Sequence, residues 1–179
     1  GERIYNPLFK YSEFYRFYNA LIHDERLLRV MQEKGYRGKF FLHTHHKVQL
    51  KDFTGNDIIK VMQDGIDYQE EFRNNALLVT DFSSVAFDFA YLKKPVIYAQ
   101  FDKDTFFQGQ VYSEGYFDYE RDGLGPVCYD YESTIEALIH AIENDCVLDP
   151  LYDERGNAFY RWFDQDNCKR VYDEIRRLH

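Results

Sequence analysis

Apolar residues recur along this chain at two spacings. Phe14, Phe17, Tyr18, Leu21 and Ile22 fall at i, i+3, i+4, i+7 and i+8, the stripe of a helix that buries one face. Ser12 stands where a helix N-cap belongs. The helical pattern runs on, past a break near His23 and Asp24, through Leu28 and Met31. Gly35 is a natural stop, because glycine takes the left-handed conformation that closes helices. Residues 4–7 predict a short first strand ended by Pro7, since proline cannot donate to a ladder. Residues 39–42 predict a buried strand that runs into His43, Thr44, His45 and His46, and residues 58–62 predict another. Tyr68–Asn74 reads as a short polar helix.

Residues 76–80 form a continuous apolar run of strand length, which suits a central parallel strand covered on both faces. Asp81, Phe82, Ser83 and Ser84 then supply capping residues, and residues 85–92 predict the helix that follows. Pro95 opens a strand at 96–99, and Pro126 opens one at 127–129. Ser133 and Glu136 have the spacing of a capping box, ahead of a helical face made by Ile135, Leu138, Ile139 and Ile142. Residues 157–178 predict a final helical stretch carrying Phe159, Trp162, Phe163, Val171, Tyr172 and Ile175. Strands alternating with helices imply an α/β domain, Rossmann-like, with about six mostly parallel strands. No repeat, linker or Pro/Gly-rich break divides residues 1–179, so one domain is expected. In such sheets ligands bind beyond the carboxyl ends of the strands.

Composition narrows the partners. With 22 Lys and Arg against 31 Asp and Glu, the net charge is −9. A general binder of nucleic-acid backbone needs a broad basic surface, so no nucleic-acid partner is expected. A small anion site remains open, because backbone N–H groups at a helix start can hold a phosphate without net positive charge. The three cysteines, Cys128, Cys146 and Cys168, form no CxxC pair, and a reduced intracellular protein is the simplest reading. No apolar run reaches the ~18 residues of a membrane span, and no signal peptide is visible. The abrupt start at Gly1 leaves room for an upstream anchor or domain.

The most informative segment is LLVTDFSSVAFD, residues 77–88. A buried strand ends in Asp81, and Ser83 and Ser84 open a helix whose first N–H groups have no helical partner. Asp88, four residues after Ser84, shares its face roughly 6 Å further along. A pyrophosphate at the serines would put a ribose near that carboxylate, which is a good acceptor for two hydroxyls. On geometry alone, a plain N-cap followed by a solvated carboxylate fits equally well.

A longer stretch carries a resemblance. DFSSVAFDFAYLKKPVIYAQFD, residues 81–102, resembles the signature of the CDP-glycerol:poly(glycerophosphate) glycerophosphotransferases, which make teichoic-acid backbones and related capsule polymers. IYNPLFK, FFLHTHH and GYFDYERDGLGPV resemble further segments of that family in the expected order, covering most of residues 4–142. The last ~35 residues carry no such motif. The resemblance implies the C-terminal, donor-binding lobe of a two-lobed GT-B fold. It implies that Ser83 and Ser84 contact the donor pyrophosphate, that Asp88 faces the ribose, and that His45 is the functional histidine near the transferred phosphate. Here that histidine is crowded by His43 and His46, where family members often have Arg or Pro.

Asp81 joins this candidate set at the strand end. Gly125 and Pro126 join it as a loop lining the base or phosphate pocket, although an ordinary turn explains them equally well. Tyr112, Tyr116, Phe117 and Tyr119 fit either a base-stacking platform or a core edge. Lys93 and Lys94 read as a solvated helix end. The three histidines have no carboxylate or cysteine spacing to match, so no metal site is expected, and the resemblance implies no cofactor.

The expected partners are a CDP-activated polyol donor, a polymer or glycolipid acceptor, and an N-terminal lobe of the same enzyme. The expected place is the cytoplasm, peripheral on the inner face of the membrane in the full-length protein. Two other readings remain open: a GT-B glycosyltransferase lobe using a nucleotide sugar, and a non-catalytic nucleotide- or partner-binding domain.

Overall fold

The computed structural model describes residues 4–42, 44–63, 65–106 and 115–178, and only the backbone of residues 44–46. The expected strand at residues 4–7 does not form. Asn6 instead caps a 3-10 helix, Pro7–Tyr11, by accepting from the Leu8 N–H at 3.0 Å. Proline suits that position because the first helical N–H has no partner to lose. Ser12 then caps α1, Glu13–Ile22, accepting from Tyr15 N–H at 3.1 Å.

The break at His23 and Asp24 is real, and it starts α2, Glu25–Lys34, which ends at Gly35 with φ 75°. Asp24 caps α2 and also joins it to a distant helix. Its carboxylate accepts from the N–H groups of Arg26 and Leu27, from the Arg26 guanidinium, and from the Tyr131 hydroxyl at 2.8 Å. Burial alone would raise its pKa, but the Arg26, Leu27 and Tyr131 hydrogen bonds outweigh burial and hold it at about 2. A depressed carboxylate stabilises the fold above its unfolded pKa, near 3.9, and that contribution is lost as pH falls toward the folded value. Asp24→Ala should therefore cost about 2–3 kcal/mol at pH 7 and progressively less below pH 4. Urea melts of both proteins at pH 7 and pH 3 check this.

The sheet strands are short and all their pairings are parallel. Strand β1, Gly38–Phe40, pairs with β2, Ile59–Val61. After α3, Tyr68–Asn74, strand β3, Leu78–Thr80, leads into α4, Val85–Tyr91. Strand β4, Val96–Ala99, lies between β3 and β5, Val127–Cys128. Two short helices, α5 (Lys103–Phe106) and α6 (Tyr119–Asp122), lie between β4 and β5. The chain then forms α7, Tyr131–Glu143, α8, Pro150–Phe159, and α9, Asn167–Arg177. The described residues thus give five strands rather than six, in ladders of two and three.

The expected α/β class holds, and the burial shows why. Every residue of β4 is buried, with Val96, Ile97, Tyr98 and Ala99 at 0–1% exposure. Successive strand residues point to opposite faces, so β4 feeds two cores. Ile97 packs with Val79, Ile22, Leu27 and Ile135 under α1, α2 and α7. Val96 and Tyr98 pack with Ala86, Phe89 and Leu124 under α4. Phe40 and Ile59 belong to the first core, so one apolar layer spans both ladders.

Three other expectations change in detail. The capping box sits three residues earlier than the Ser133 and Glu136 spacing suggests: Asp130 accepts from Ser133 N–H at 2.8 Å, and Ser133 Oγ answers the Asp130 N–H. The final helical stretch is two helices, because the chain turns at Tyr160 to pack back on α4. There Tyr160 donates to Phe87 O at 2.6 Å, and Phe163 stacks on Tyr91. Lys93 is exposed as expected, but Lys94 is half-buried. Lys94 Nζ closes the end of α3 by donating to the carbonyls of Phe72, Arg73 and Asn75 at 2.7–2.8 Å, while Lys93 pairs with Asp153.

Candidate functional site

Parallel pairing puts the carboxyl ends of β3, β4 and β5 on one side of their ladder, and the residues that follow β1, β3, β4 and β5 line one cavity. It has a volume of about 1410 Å³ and continues inward past Phe40, Ile59 and Leu77, between the two ladders. Asp81, Phe82, Ser83 and Ser84 line it at the end of β3. Ser84 is exposed and makes no side-chain cap hydrogen bond, and Ser83 is half-buried.

The first turn of α4 is tighter than an ordinary helix start. Ala86 N–H already bonds to Ser83 O at 3.3 Å, and Phe87 N–H to Ser84 O at 3.0 Å. Val85 N–H donates to Ser83 Oγ at 3.5 Å, so the donors this loop offers the cavity are chiefly the Ser83 and Ser84 hydroxyls. Asp88 stands one turn further along α4, exposed, and is not part of the cavity wall.

The strand that leads to the histidines ends sooner than expected. Strand β1 stops at Phe40, and the chain enters a 3-10 helix, Thr44–Asp52, at the carboxyl end of β1. His45 and His46 therefore lie on a helical turn, so an alternating strand cannot set which of them share a face. His43 lies outside the described residues, as do the side chains of His45 and His46.

The far end of this turn is anchored. Asp52, with a side chain 3% exposed, accepts from Tyr5 OH at 2.8 Å and meets Lys10 Nζ at 3.5 Å. Its backbone carbonyl accepts from Tyr15 OH at 3.2 Å. The hydrogen bond to Asp52, helped by burial, raises the Tyr5 pKa.

Gly125 and Pro126 are at the opposite end of the sheet. Gly125 approaches the start of β4 so closely that an added Cβ would lie 1.8 Å from Val96 O. Pro126 O accepts from Tyr98 N–H at 2.9 Å. That is the amino end of a parallel sheet, away from where ligands bind in this class of fold, and the residues there join β5 to β4. Tyr116 is exposed. Phe117 and Tyr119 pack edge-on to each other and to Phe87 and Tyr98. Tyr112 lies outside the described residues.

Several polar residues of the cavity escaped the sequence reading. Gln100 and Asp102 follow β4, Lys103 opens α5, and Tyr129 follows β5. All four would have been found by applying the carboxyl-end rule to every expected strand rather than to residues 76–80 alone. Burial first, then the charges of Asp81 and Glu13, raise the Asp102 pKa. Burial, with Asp81 and Asp102 beside it, pushes the Tyr18 phenol far up. Lys103 Nζ donates to Tyr129 OH at 3.3 Å, and Tyr129 OH donates to Glu120 at 2.7 Å.

An anion held at Ser83 and Ser84 would thus have Asp81 and Asp102 nearby. Its charge would need the Lys103 ammonium and donors from the histidine turn. Hydroxyl groups, by contrast, would find ready acceptors in the two carboxylates. Among the described residues, no group of three or more His, Cys, Asp or Glu side chains is arranged to hold a metal ion. All three cysteines are unpaired.

Comparison with known proteins gives a family and several relatives. The family described as CDP-Glycerol:Poly(glycerophosphate) glycerophosphotransferase matches residues 3–177. The minor teichoic acid biosynthesis protein GgaB of Bacillus subtilis (strain 168) is 38% identical over 178 residues, 99% of this chain and 19% of that protein. A teichoic acid glycerol-phosphate transferase of Staphylococcus aureus (strain NCTC 8325 / PS 47) is 32% identical over 68% of this chain and 30% of its own length. A teichoic acid poly(glycerol phosphate) polymerase of Bacillus subtilis (strain 168) is 37% identical over 49% of this chain and 12% of its own. The chain therefore spans less than a third of these relatives. No solved structure matches it.

Proposed function

The chain belongs to the CDP-glycerol:poly(glycerophosphate) glycerophosphotransferase family, and from that premise we propose that it is the donor-binding lobe of a transferase that moves a polyol phosphate from a CDP-activated donor to an acceptor hydroxyl in cell-wall or capsule polymer synthesis. The observation that supports this most is the loop from Asp81 to Ser84. It lines a large cavity at the carboxyl ends of the sheet, inside the segment that carries the family resemblance.

In the proposed reaction an acceptor hydroxyl attacks the β-phosphorus of the donor. The new O–P bond forms as the bond to CMP breaks, CMP leaves with that electron pair, and the hydroxyl proton passes to a base. That base comes from the N-terminal lobe of a GT-B enzyme, in the four-fifths of a GgaB-like protein beyond this chain. Ser83, Ser84, Lys103 and His45 hold the phosphates, which is the positioning and charge stabilisation that dominates phosphoryl transfer. Asp81 faces the same cavity. No helix among the described residues is long and apolar enough to cross a membrane. The proposal places the lobe in the cytoplasm, peripheral on the inner face of the membrane.

Calorimetric titration of the full-length protein with CDP-glycerol, CDP-ribitol, CDP, CMP and UDP-sugars tests the reading, which expects the CDP compounds to bind and the UDP-sugars not to. Asp88 supplies a second test. If its exposed carboxylate accepts both ribose hydroxyls, Asp88→Asn should weaken CDP binding by about 1–2 kcal/mol, roughly five- to thirtyfold. A 2′,3′-dideoxyribose analogue should bind both proteins alike. Equal CDP affinity in wild type and variant would end the ribose assignment.

A further inference from the structure

The end of β4 holds a side chain with no hydrogen-bond partner among the described residues. Gln100 is 1% exposed, and among the described residues neither Nε2 nor Oε1 of its carboxamide makes a hydrogen bond. Its backbone is fully used: the N–H donates to Cys128 O at 2.8 Å, and the C=O accepts from Lys103 N–H at 3.2 Å. Main-chain pairing therefore does not require glutamine here, and an apolar residue of the same size would avoid burying unpaired polar atoms. Buried polar groups are almost always satisfied, so an exception calls for an explanation, and a functional contact is one of the recognised kinds. Gln100 lines the same cavity as Asp81 and Ser83.

The chemistry of the vacant amide restricts the partner. The amide has two donors and an acceptor. A phosphate at neutral pH offers mainly acceptors and would leave Oε1 unpaired, whereas a hydroxyl both donates and accepts. A nucleobase edge could also match, but the walls argue against one. Alternation along β4 puts Gln100 on the face of Tyr98, where the rings already pack on each other. Phe82 and Phe106 stack at 4.0 Å and 17°, and Tyr119 stands edge-on to Phe82 and to Tyr98. A planar base would have to displace that packing, while a single hydroxyl would not.

We propose that the Gln100 carboxamide is a specificity-determining contact for the polyol of the donor, with Nε2–H donating to one polyol oxygen and Oε1 accepting from a polyol hydroxyl. This rests on the donor-lobe reading above. With the phosphates at Ser83 and Ser84 and the nucleoside running outward toward Asp88, the polyol end of the diphosphate is the part that faces the sheet. Asp102, two residues on, offers a further hydroxyl acceptor on the same wall.

The test uses the full-length protein and its near-isosteric variant Gln100→Met, each titrated with CDP-glycerol and with CDP and each melted thermally. The variant loses no internal partner, so its Tm should equal or exceed that of wild type. CDP affinity should stay within about twofold, while CDP-glycerol affinity should fall about tenfold. A CDP-alkyl ester lacking the free hydroxyls should bind wild type as weakly as CDP-glycerol binds the variant. An equal loss for CDP and CDP-glycerol would move Gln100 to the nucleotide part, and no loss for either would make it structural. A marked drop in Tm would show that the amide has a partner within the protein. Each of these overturns the proposal. Failure of wild type to bind CDP or CDP-glycerol would instead overturn the donor-lobe reading, a result separable from the other three.

Discussion

In the full-length enzyme, His45→Ala should lower kcat by about a hundredfold to ten-thousandfold and change CDP affinity by less than threefold. Its backbone lies on the 3-10 turn that follows β1, just past Phe41 and Leu42, which line the cavity that Ser83 and Ser84 also line. Asp81 and Asp102 both line that cavity, with Lys103 beside them. A histidine donor there would matter most when negative charge builds on the phosphoryl oxygens as CMP departs. A group that acts only at that moment is lost from kcat rather than from ground-state binding. Single-turnover kinetics with CDP-glycerol, set beside calorimetry with CDP, separates the two. Unchanged turnover in His45→Ala, with His43→Ala inactive, would move the role to His43.

Gly125→Ala should destabilise the domain by about 3 kcal/mol or more. The added Cβ would meet Val96 O at 1.8 Å and Val96 C at 2.7 Å, and both atoms are backbone in a strand that is wholly buried. Neither can rotate aside. Relief requires β5 to move off β4, breaking the register that pairs Tyr98 with Val127. Equilibrium urea denaturation of the variant measures the loss, and a cost under 1 kcal/mol would mean that the strands sit further apart than described here. The same substitution should leave nucleotide affinity of the folded fraction unchanged, because Gly125 is at the amino end of the sheet.

Those two positions show what could be read from the chain alone. The run at residues 76–80 and the capping residues after it read directly as β3 and α4, because an uninterrupted apolar run has few homes other than a covered parallel strand. Val96–Ala99 was legible for the same reason, and Tyr68–Asn74 as a short polar helix.

Where local signals competed, the reading slipped. Ile4 and Tyr5 before a proline look like a strand, yet the Asn6 side chain and Pro7 both favour a helical start, and Ile4 finds no core to enter at 90% exposure. Trp162 and Phe163 continue the apolar period of the last helices, but they lie in a turn, where Phe163 packs on Tyr91 and Tyr160 and the Trp162 ring faces Arg161 and Arg170.

In the site, Asp81, Ser83 and Ser84 were legible because they form one continuous segment. Gln100, Lys103 and Tyr129 also follow expected strands, but that they meet at one cavity follows only once β3, β4 and β5 are known to be neighbours. Gly125 was legible as special but not for its reason, since a glycine needed for close backbone approach looks the same in sequence as one in a binding loop.

Backbone hydrogen exchange of the full-length protein with and without CDP-glycerol tests the central claim most directly, because it reports where along the chain the donor sits. The account predicts slowed exchange at residues 82–85, 100–103 and 44–46, the segments at the carboxyl ends of β3, β4 and β1, with residues 123–127 unchanged. Protection confined to residues 123–127, or none anywhere in this chain under saturating CDP-glycerol, would contradict it.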